Sequence, residues 1–269
     1  MTQFFHEDIL FVCVNLITIC AHFKHCKRLR TLCQQIVYQM AKKENVRELF
    51  DDIAPTYDRL NHLLSLNIDK QWRKKAIGQL DNEKVKIMLD VACGTGDFAI
   101  MAGQHGIPMV YGIDISDNML KIGKEKIAVL GLKDKIRLQQ GDSEKIDFAD
   151  ETFDAVTVAF GVRNFEHLDK GLKEMNRVMK KNGQVVILEF SMPRSFPMKQ
   201  LYSFYFKWVL PVVGGFISKN KQAYQYLPDS VAKFPQGNEF LQIMRECGFR
   251  DIACTKLTFG IARVYTGVK

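Results

Sequence analysis

The sequence predicts an α/β fold: a mostly parallel, seven-stranded sheet with helices on both faces and a C-terminal antiparallel hairpin. Two observations predict this fold. Short apolar runs of strand length alternate with segments of helical periodicity, which is the rhythm of a parallel sheet covered on both faces. The last two runs, 251–258 and 262–268, are close enough in the chain to pair as a hairpin.

The individual elements follow from local patterns. Leu49, Ile53 and Leu60 recur at helical spacing, so 46–80 is predicted as an N-terminal helical cover in which Pro55 restarts a helix at its first turn. Five further strands are predicted at 85–92, 109–113, 136–140, 154–160 and 184–190. The helices that separate and follow them are predicted at 97–105, 117–130, 169–180 and 237–247.

Composition limits the function classes. The 269 residues are enough for one large domain or one domain with additions, and the net charge of +8 is dispersed. The charge permits weak attraction to an anionic membrane, but no basic stripe or RNA-binding module favours a nucleic acid as partner. The seven cysteines are odd in number and form no C-x-x-C pair, which indicates reduced thiols in a cytoplasmic protein and no metal site.

The first 39 residues differ from the rest. They contain four of the seven cysteines and an apolar run, 9–21, that is too short for a comfortable membrane span. We predict that 1–39 is an extra segment without a defined fold and that the folded domain is 40–269, beginning near Met40. An interfacial membrane anchor is the open alternative for this segment.

A glycine-rich turn follows the first strand. Asp90 lies inside that strand, and Gly94 and Gly96 come directly after it, ahead of the helix predicted from Asp97. Glycines let the backbone turn tightly and approach a ligand, and the helix start directs free amide groups into the same crevice. The pattern predicts a site for a nucleotide-like cofactor.

Charge decides between two cofactors. The turn fits the dinucleotide pattern G-x-G-x-x-A, and Asp114 lies near the offset expected of a ribose-binding acid. However, the pyrophosphate of NAD would face Asp97, with Asp90 close behind, and such like charges repel. S-adenosylmethionine has no phosphate and carries a sulfonium and an ammonium group that carboxylates attract, so we favour it over NAD.

Three acids lie at the ends of three successive strands. Asp90 is placed to accept a hydrogen bond from the cofactor ammonium, and Asp114 to accept from the ribose hydroxyls. Asp142 is placed to accept from the adenine amino group. Backbone amides around 94–96 are placed to bind the methionine carboxylate. A lone Asp is usually a helix cap or turn residue. Three acids together with the glycine turn favour a binding site.

An aromatic segment interrupts the α/β rhythm. Seven aromatic residues fall within 196–216, at the ligand edge of the sheet. We predict that the insertion 191–235 forms a lid over an apolar substrate, and an ordinary buried helix remains the alternative.

Four stretches carry a resemblance to a known family. Residues 90–97 resemble the first motif of Rossmann-like class I S-adenosylmethionine methyltransferases. Residues 57–61 with Ser65 and Trp72, then 160–164, and then 224–235 are similar to signatures of the ubiquinone/menaquinone-biosynthesis C-methyltransferases. The resemblance covers about 44–269.

The resemblance implies methyl transfer to a ring carbon of a prenylated quinol. It implies cofactor contacts at Thr95, Asp114, Asp142 and Ser143, in addition to Asp90, Gly94 and Gly96, which the turn itself indicates. It implies catalytic roles for Arg163, Asn164 and Tyr57, and substrate contacts by Tyr57, Asp58 and Asn61. The sequence departs from the family pattern at three positions. Asn67 and Asp69 replace a common Gly and His, and both changes bear on the substrate pocket. Ala159 stands where some members carry a serine that contacts the cofactor.

The reaction expected is conversion of demethylmenaquinol to menaquinol at a membrane surface, by a cytoplasmic enzyme with peripheral attachment as an open alternative. Other acceptors stay open: the benzoquinol of the ubiquinone pathway, or another apolar small molecule. An NAD-linked oxidoreductase and a non-catalytic membrane-surface protein are rivals of different classes. A homodimer is an open alternative to the monomer.

Overall fold

The structure is a computed structural model that describes residues 27–205, 208 and 221–269. The apolar run at 9–21 and much of the aromatic segment, at 206–207 and 209–216, lie outside the described residues. The chain divides into two compact units, 1–47 and 48–269. The sheet and the helices that cover it belong to the second unit.

Two helices precede the sheet, α1 (Lys27–Leu64) and α2 (Ile68–Ile77). The prediction that Pro55 restarts a helix is wrong, because Pro55 lies inside α1. Proline removes the hydrogen bond to the carbonyl four residues earlier. Here that carbonyl, on Asp51, accepts from the side-chain amide of Asn118 at 3.3 Å, so the helix continues.

The break in the helical cover comes later than Pro55. Leu66 and Asn67 take positive φ values of 52° and 60° between α1 and α2. Asparagine tolerates the left-handed conformation better than most residues. This accounts for Asn67 at a position where the resembled family commonly has glycine.

Seven strands form one sheet in the order β3-β2-β1-β4-β5-β7-β6. The strands are β1 (Ile87–Val91), β2 (Met109–Asp114), β3 (Ile136–Gln140), β4 (Phe153–Ala159), β5 (Met179–Phe190), β6 (Arg250–Leu257) and β7 (Ala262–Val268). The first five are parallel, and β7 pairs antiparallel with both β5 and β6. The predicted mixed sheet and its C-terminal hairpin are confirmed.

Helices cover both faces of the sheet. They are α3 (Asp97–Gln104), α4 (Asp117–Val129), α5 (Leu168–Val178), α6 (Met198–Phe204), α7 (Lys221–Lys233) and α8 (Asn238–Glu246). Neighbouring residues of one strand enter different cores: Met88 packs with Trp72 and Val110, whereas Leu89 packs with Val156 and Phe240. Burial on both faces explains why central strands such as β1 and β4 read as nearly continuous apolar runs.

The boundary between α5 and β5 differs from the prediction. Strand β5 begins at Met179, where the sequence predicts a helix up to residue 180 and a strand from 184. Met179 pairs with Phe153, and the register then shifts before Gln184 pairs with Ala155. Lys180 also forms an ion pair with Asp154 at 2.7 Å. Sheet pairing thus overrides the helical pattern of this segment.

Candidate active site

The candidate site lies at the carboxyl ends of the parallel strands, where the strand order reverses between β1 and β4. Ligands of open α/β sheets bind at such a switch point. The turn after β1 and the turn after β4 meet here, because a Cβ added to Gly161 would lie 2.7 Å from the Cβ of Ala92. The two turns form one continuous edge.

The glycine turn uses its two glycines differently. Gly94 and Gly96 have φ values of 55° and 77°, in the region that favours glycine. A Cβ at Gly94 would meet nothing within 4 Å, whereas a Cβ at Gly96 would come within 3.2 Å of Leu138. Gly94 therefore leaves open space for a ligand, and Gly96 permits close packing against the sheet.

Asp90 is a buried acid with one unused oxygen. Thr157 donates to its Oδ1 at 3.0 Å, while its Oδ2 is buried without a hydrogen-bond partner among the described residues. Burial raises the pKa of Asp90 to about 7, although Thr157 and the charge of Arg73 oppose this rise. An orphaned carboxylate oxygen fits the ammonium group of S-adenosylmethionine.

Asp114 closes β2 and holds the glycine turn. Its carboxylate accepts from the backbone N–H of Gly94 at 2.8 Å and of Ser116 at 2.9 Å. Burial raises the pKa of Asp114. Carboxylates have more than two acceptor positions, so these bonds leave capacity for ribose hydroxyls. Asp142 and Ser143 are half-buried after β3, where Asp142 accepts from the N–H of Glu144 at 2.8 Å.

Thr95 is joined to the N-terminal helical cover. Its hydroxyl donates to Asp58 at 2.6 Å, and Lys126 bonds both Asp58, at 2.8 Å, and Thr95, at 3.3 Å. The structure thus brings Asp58, expected at the substrate, against the cofactor turn. Lys126 also pairs with Asp97. The charge of Asp97 is therefore balanced, so Asp97 would repel the pyrophosphate of NAD less than predicted. The argument that the site excludes NAD then depends more on Asp90.

An apolar cavity of about 330 Å³ lies beside this turn. Most of its lining is aliphatic or aromatic, as is typical of sites for small apolar ligands. The polar and charged members of the lining are Tyr57, Asn61, Ser65, Asp69, Arg73, Arg163, Tyr202, Tyr205, Tyr226 and Thr258. The structure thus brings three predicted residues, Tyr57, Asn61 and Arg163, to one cavity.

Arg163 is held in place by a residue that the sequence analysis missed. Its guanidinium pairs with Glu189 at 2.8 Å, donates to the carbonyl of Phe160, and bonds the Ser230 hydroxyl at 3.3 Å. Both charged side chains are buried, with 5% and 0% exposed. Burial by itself lowers the pKa of Arg163, but Glu189 together with Tyr57 and Tyr226 outweighs this effect, so the pKa is raised. The acid at the end of the apolar run 185–188 was the available signal for Glu189.

Asn164 and Tyr57 have defined surroundings. The hydroxyl of Tyr226 donates to Oδ1 of Asn164 at 2.9 Å. Tyr226 lines the cavity and Asn164 is not among the lining residues, so the structure links Asn164 to the cavity through Tyr226. Burial raises the pKa of Tyr57, against the opposing charges of Arg163 and Arg73, so its hydroxyl stays protonated.

Asp69 and Trp72 also reach the cavity from α2. Asp69 accepts from Ser65 at 2.5 Å and pairs with Arg73, and it bonds His62 at 2.9 Å. Trp72 donates to Thr258 at 2.7 Å. The substitution of Asp for the family's common His at 69 thus changes the charge of the cavity wall.

The lid prediction falls partly on described residues. Tyr202 is buried against the cavity, whereas Phe196, Leu201, Phe204 and Trp208 are exposed, with Phe196 81% exposed. Leu201 and Tyr205 also line the cavity. The described part of the segment is therefore neither an ordinary buried helix nor a fully exposed loop. Within the described residues, no helix combines the length and apolar character that crossing a membrane requires.

One cluster outside the cleft has metal-ligand chemistry. Glu144, Glu166 and His167 offer ligand atoms within 4.8 Å of one another. Exposed acids commonly cluster without an ion, and His167 already bonds Glu144 at 2.8 Å. This contact gives His167 a structural role, and the predicted absence of a metal site stays a prediction.

Comparisons with known proteins cover most of the chain. A family model described as the ubiE/COQ5 methyltransferase family matches residues 38–269. A demethylmenaquinone methyltransferase of Bacteroides fragilis is 48% identical over 229 residues, which cover 85% of this chain and 94% of that protein. A ubiquinone/menaquinone biosynthesis C-methyltransferase of Geobacter sulfurreducens is 45% identical over 251 residues, covering 92% and 96%.

A solved structure supports the architecture. The crystal structure of a SAM-dependent methyltransferase from Thermotoga maritima matches with a TM-score of 0.60 and 19% identity, covering 82% of this chain and 99% of that one. At that identity the likeness shows the fold alone. It confirms the predicted class I architecture.

Proposed function

We propose that this chain, which belongs to the ubiE/COQ5 methyltransferase family, transfers the methyl group of S-adenosylmethionine to a ring carbon of demethylmenaquinol. The observation that carries the proposal is the apolar cavity beside the glycine turn, with Arg163 in its wall. The names of the relatives support the choice of acceptor, since one is a demethylmenaquinone methyltransferase at 48% identity.

The chain's own residues fit the cofactor. Asp90 has a buried carboxylate oxygen without a partner, and Gly94 leaves open space at the turn. Asp114 would hold the ribose hydroxyls, and Asp142 with Ser143 would meet the adenine. When bound, S-adenosylmethionine supplies an electrophilic methyl group on a sulfonium.

The cavity residues would prepare the acceptor. A quinol ring carbon becomes nucleophilic when a neighbouring hydroxyl loses its proton, so a fixed cation beside that oxygen favours the reactive form. Arg163 supplies this cation, because Glu189 and the Phe160 carbonyl hold its guanidinium in one position. Tyr57, protonated because burial raises its pKa, would donate to the same oxygen. Asn164, oriented by Tyr226, would fix the quinol from the side of β4.

The surface around the cavity suits an acceptor with a prenyl tail. Leu66 and Leu201 line the cavity and are also 77% and 56% exposed, so the cavity opens through an apolar rim. Phe204 and Trp208 extend the apolar surface of the lid segment. Exposed apolar patches of this kind mark membrane or ligand contacts. We therefore place the enzyme at the membrane surface, with the lid segment directed to the lipid.

The test is methyl transfer from labelled S-adenosylmethionine to two acceptors, demethylmenaquinol and the ubiquinone-pathway benzoquinol, each kept reduced in detergent. Labelling of the naphthoquinol supports the proposal. Labelling of the benzoquinol alone would favour the ubiquinone route, which the name of the Geobacter relative includes. Labelling of neither, with cofactor binding intact, would contradict both acceptors.

A thermal-shift comparison separates the enzyme classes. S-adenosylmethionine should raise the melting temperature, because a ligand that binds only the folded state stabilises it. NADH should leave it unchanged. A shift with NADH alone would contradict the methyltransferase assignment.

A further inference from the structure

A second buried arginine, Arg73, lies between the cavity and the glycine turn. Its guanidinium pairs with Asp69, and its Nη2 is 3.9 Å from Asp97, the first residue of α3. Its Cζ is 5.3 Å from the ring centre of Phe160, which follows β4. These contacts place Arg73 at the carboxyl ends of β1 and β4, where a cofactor binds in this fold.

Arg73 has an unused donor. Its Nε–H is buried and has no hydrogen-bond partner among the described residues, and the side chain is only 8% exposed. A buried donor without a partner is costly, so it needs an explanation such as a ligand. Asp90 has the matching feature, a buried Oδ2 without a partner among the same residues, and the charge of Arg73 acts on Asp90.

We propose that Arg73 and Asp90 together bind the amino-acid end of S-adenosylmethionine, with Arg73 on its carboxylate and Asp90 on its ammonium. This inference rests on the proposed function. It adds a side-chain cation to the backbone amides of 94–96 that the sequence analysis assigned to the carboxylate. A zwitterion needs one group of each charge, and these two buried side chains each have one atom free.

The contacts of Arg73 favour the cofactor over the quinol as its ligand. Arg163 already supplies a cation to the cavity. Its guanidinium donates to the Phe160 carbonyl, whereas the guanidinium of Arg73 lies over the Phe160 ring. Of the two arginines, Arg73 is the one with a contact to α3, through Asp97. Two buried arginines thus serve different ligands, one on the side of the glycine turn and one in the cavity.

The test compares three ligands by calorimetry without turnover. S-adenosylmethionine has a carboxylate, an ammonium and a sulfonium, its decarboxylated form lacks only the carboxylate, and 5′-methylthioadenosine lacks all three charges. In Arg73→Met, binding of S-adenosylmethionine should weaken by about 10- to 100-fold, the range of one charge-assisted hydrogen bond. Binding of the decarboxylated form and of methylthioadenosine should match the wild type. Asp90→Asn should weaken the first two ligands and spare the third, and it should weaken S-adenosylhomocysteine as well, because that thioether keeps the ammonium but has no sulfonium.

Controls separate a structural role. Arg73→Met leaves Asp69 buried without its cation. The double variant Arg73→Met/Asp69→Asn therefore repeats the measurement with both charges removed. Asp69→Asn alone should keep the wild-type affinity for the cofactor. Arg163→Met, the matched buried arginine, should bind all three ligands normally. Equal losses for S-adenosylmethionine and its decarboxylated form in both Arg73 variants would overturn the proposal. So would unchanged cofactor binding. Failure of the wild type to bind S-adenosylmethionine would instead contradict the proposed function.

Discussion

The glycine turn and the apolar cavity lie side by side but are built from different kinds of sequence. The turn is nearly contiguous, since 90–97 supplies its glycines and two of its acids, and Asp114 is fixed by backbone N–H groups. The cavity draws on residues from five separated regions, 49–73, 160–163, 190–205, 226–227 and 258–261. A local motif makes one half of the site, and long-range packing makes the other.

The two halves also differ in chemistry. The turn presents carboxylates and backbone amides, whereas the cavity presents aromatic and aliphatic side chains with a few buried polar groups. We infer that changes at the turn alter cofactor binding for every acceptor. Changes in the cavity should alter turnover or acceptor choice and leave cofactor binding intact. Five experiments test and sharpen this division, beginning with the largest expected effect.

Arg163→Met should reduce turnover by about a thousandfold, because losing a preorganised oxyanion-stabilising group costs about 10²- to 10³-fold. The dissociation constant for S-adenosylmethionine should stay within about threefold, since Arg163 lies on the cavity side. Because Glu189 loses its buried partner, Arg163→Lys is the companion that retains a cation, and melting curves verify folding. Normal turnover in both variants would remove Arg163 from the mechanism.

Asp114→Asn should weaken S-adenosylmethionine binding by about a hundredfold, in the range expected when one or two charge-assisted hydrogen bonds are lost. Because the affected bonds are those to the ribose, methylthioadenosine should weaken equally, in contrast to Arg73→Met. Titration calorimetry with both ligands measures the effect. A loss confined to S-adenosylmethionine would show that Asp114 does not act through the ribose.

Cofactor affinity should depend on pH through Asp90. Burial raises the pKa of Asp90 from 3.8 to about 7, and the ammonium needs the ionised form. Affinity should therefore increase by up to about tenfold per pH unit as the pH rises towards 7 and then level off. Calorimetry in buffers of different ionisation enthalpy would detect the released proton. Asp90→Asn should bind weakly and without this dependence.

The stability of the ligand-free protein should change with pH in the opposite direction, decreasing as the pH rises. The folded state binds the Asp90 proton more tightly than the unfolded state, because the folded pKa is the higher one. The contribution of Asp90 to the free energy of unfolding is therefore complete below pH about 4 and is lost as the pH rises through about 7. Urea melts of wild type and Asp90→Asn across this window would measure it, and parallel curves would contradict the assignment.

The smallest effect is expected at the rim of the cavity. Leu201→Ser should raise the KM for a quinol with a long prenyl tail by about tenfold, since one exposed aliphatic contact contributes about 1–2 kcal/mol. A tail-free acceptor should be unaffected. Val129→Ser is the matched control, because Val129 is 87% exposed at the end of α4 and outside the cavity lining. Equal changes with both acceptors would argue against a tail-binding rim.

Sequence patterns predicted the sheet well because its central strands, such as β1 and β4, are short apolar runs buried on both faces. They failed at Pro55. The carbonyl that this proline leaves without a helical partner accepts from Asn118, which is far away in the chain. They also failed at 179–183, where sheet pairing with β4 extends β5. For the site, the resemblance implied roles at the substrate for Tyr57, Asn61 and Arg163, which line one cavity in the structure. Asp58, also expected at the substrate, instead bonds Thr95 of the glycine turn.

By itself, the amino-acid sequence determined the strand order along the chain, the glycine turn and the acids at the strand ends. These features depend on residues that are neighbours, so local periodicity and turn chemistry suffice. Only the tertiary structure decided which acid holds Arg163, which oxygen of Asp90 stays free, and that Arg73 faces the glycine turn. Such partnerships join residues that are distant in the chain, and packing alone determines which buried charges meet.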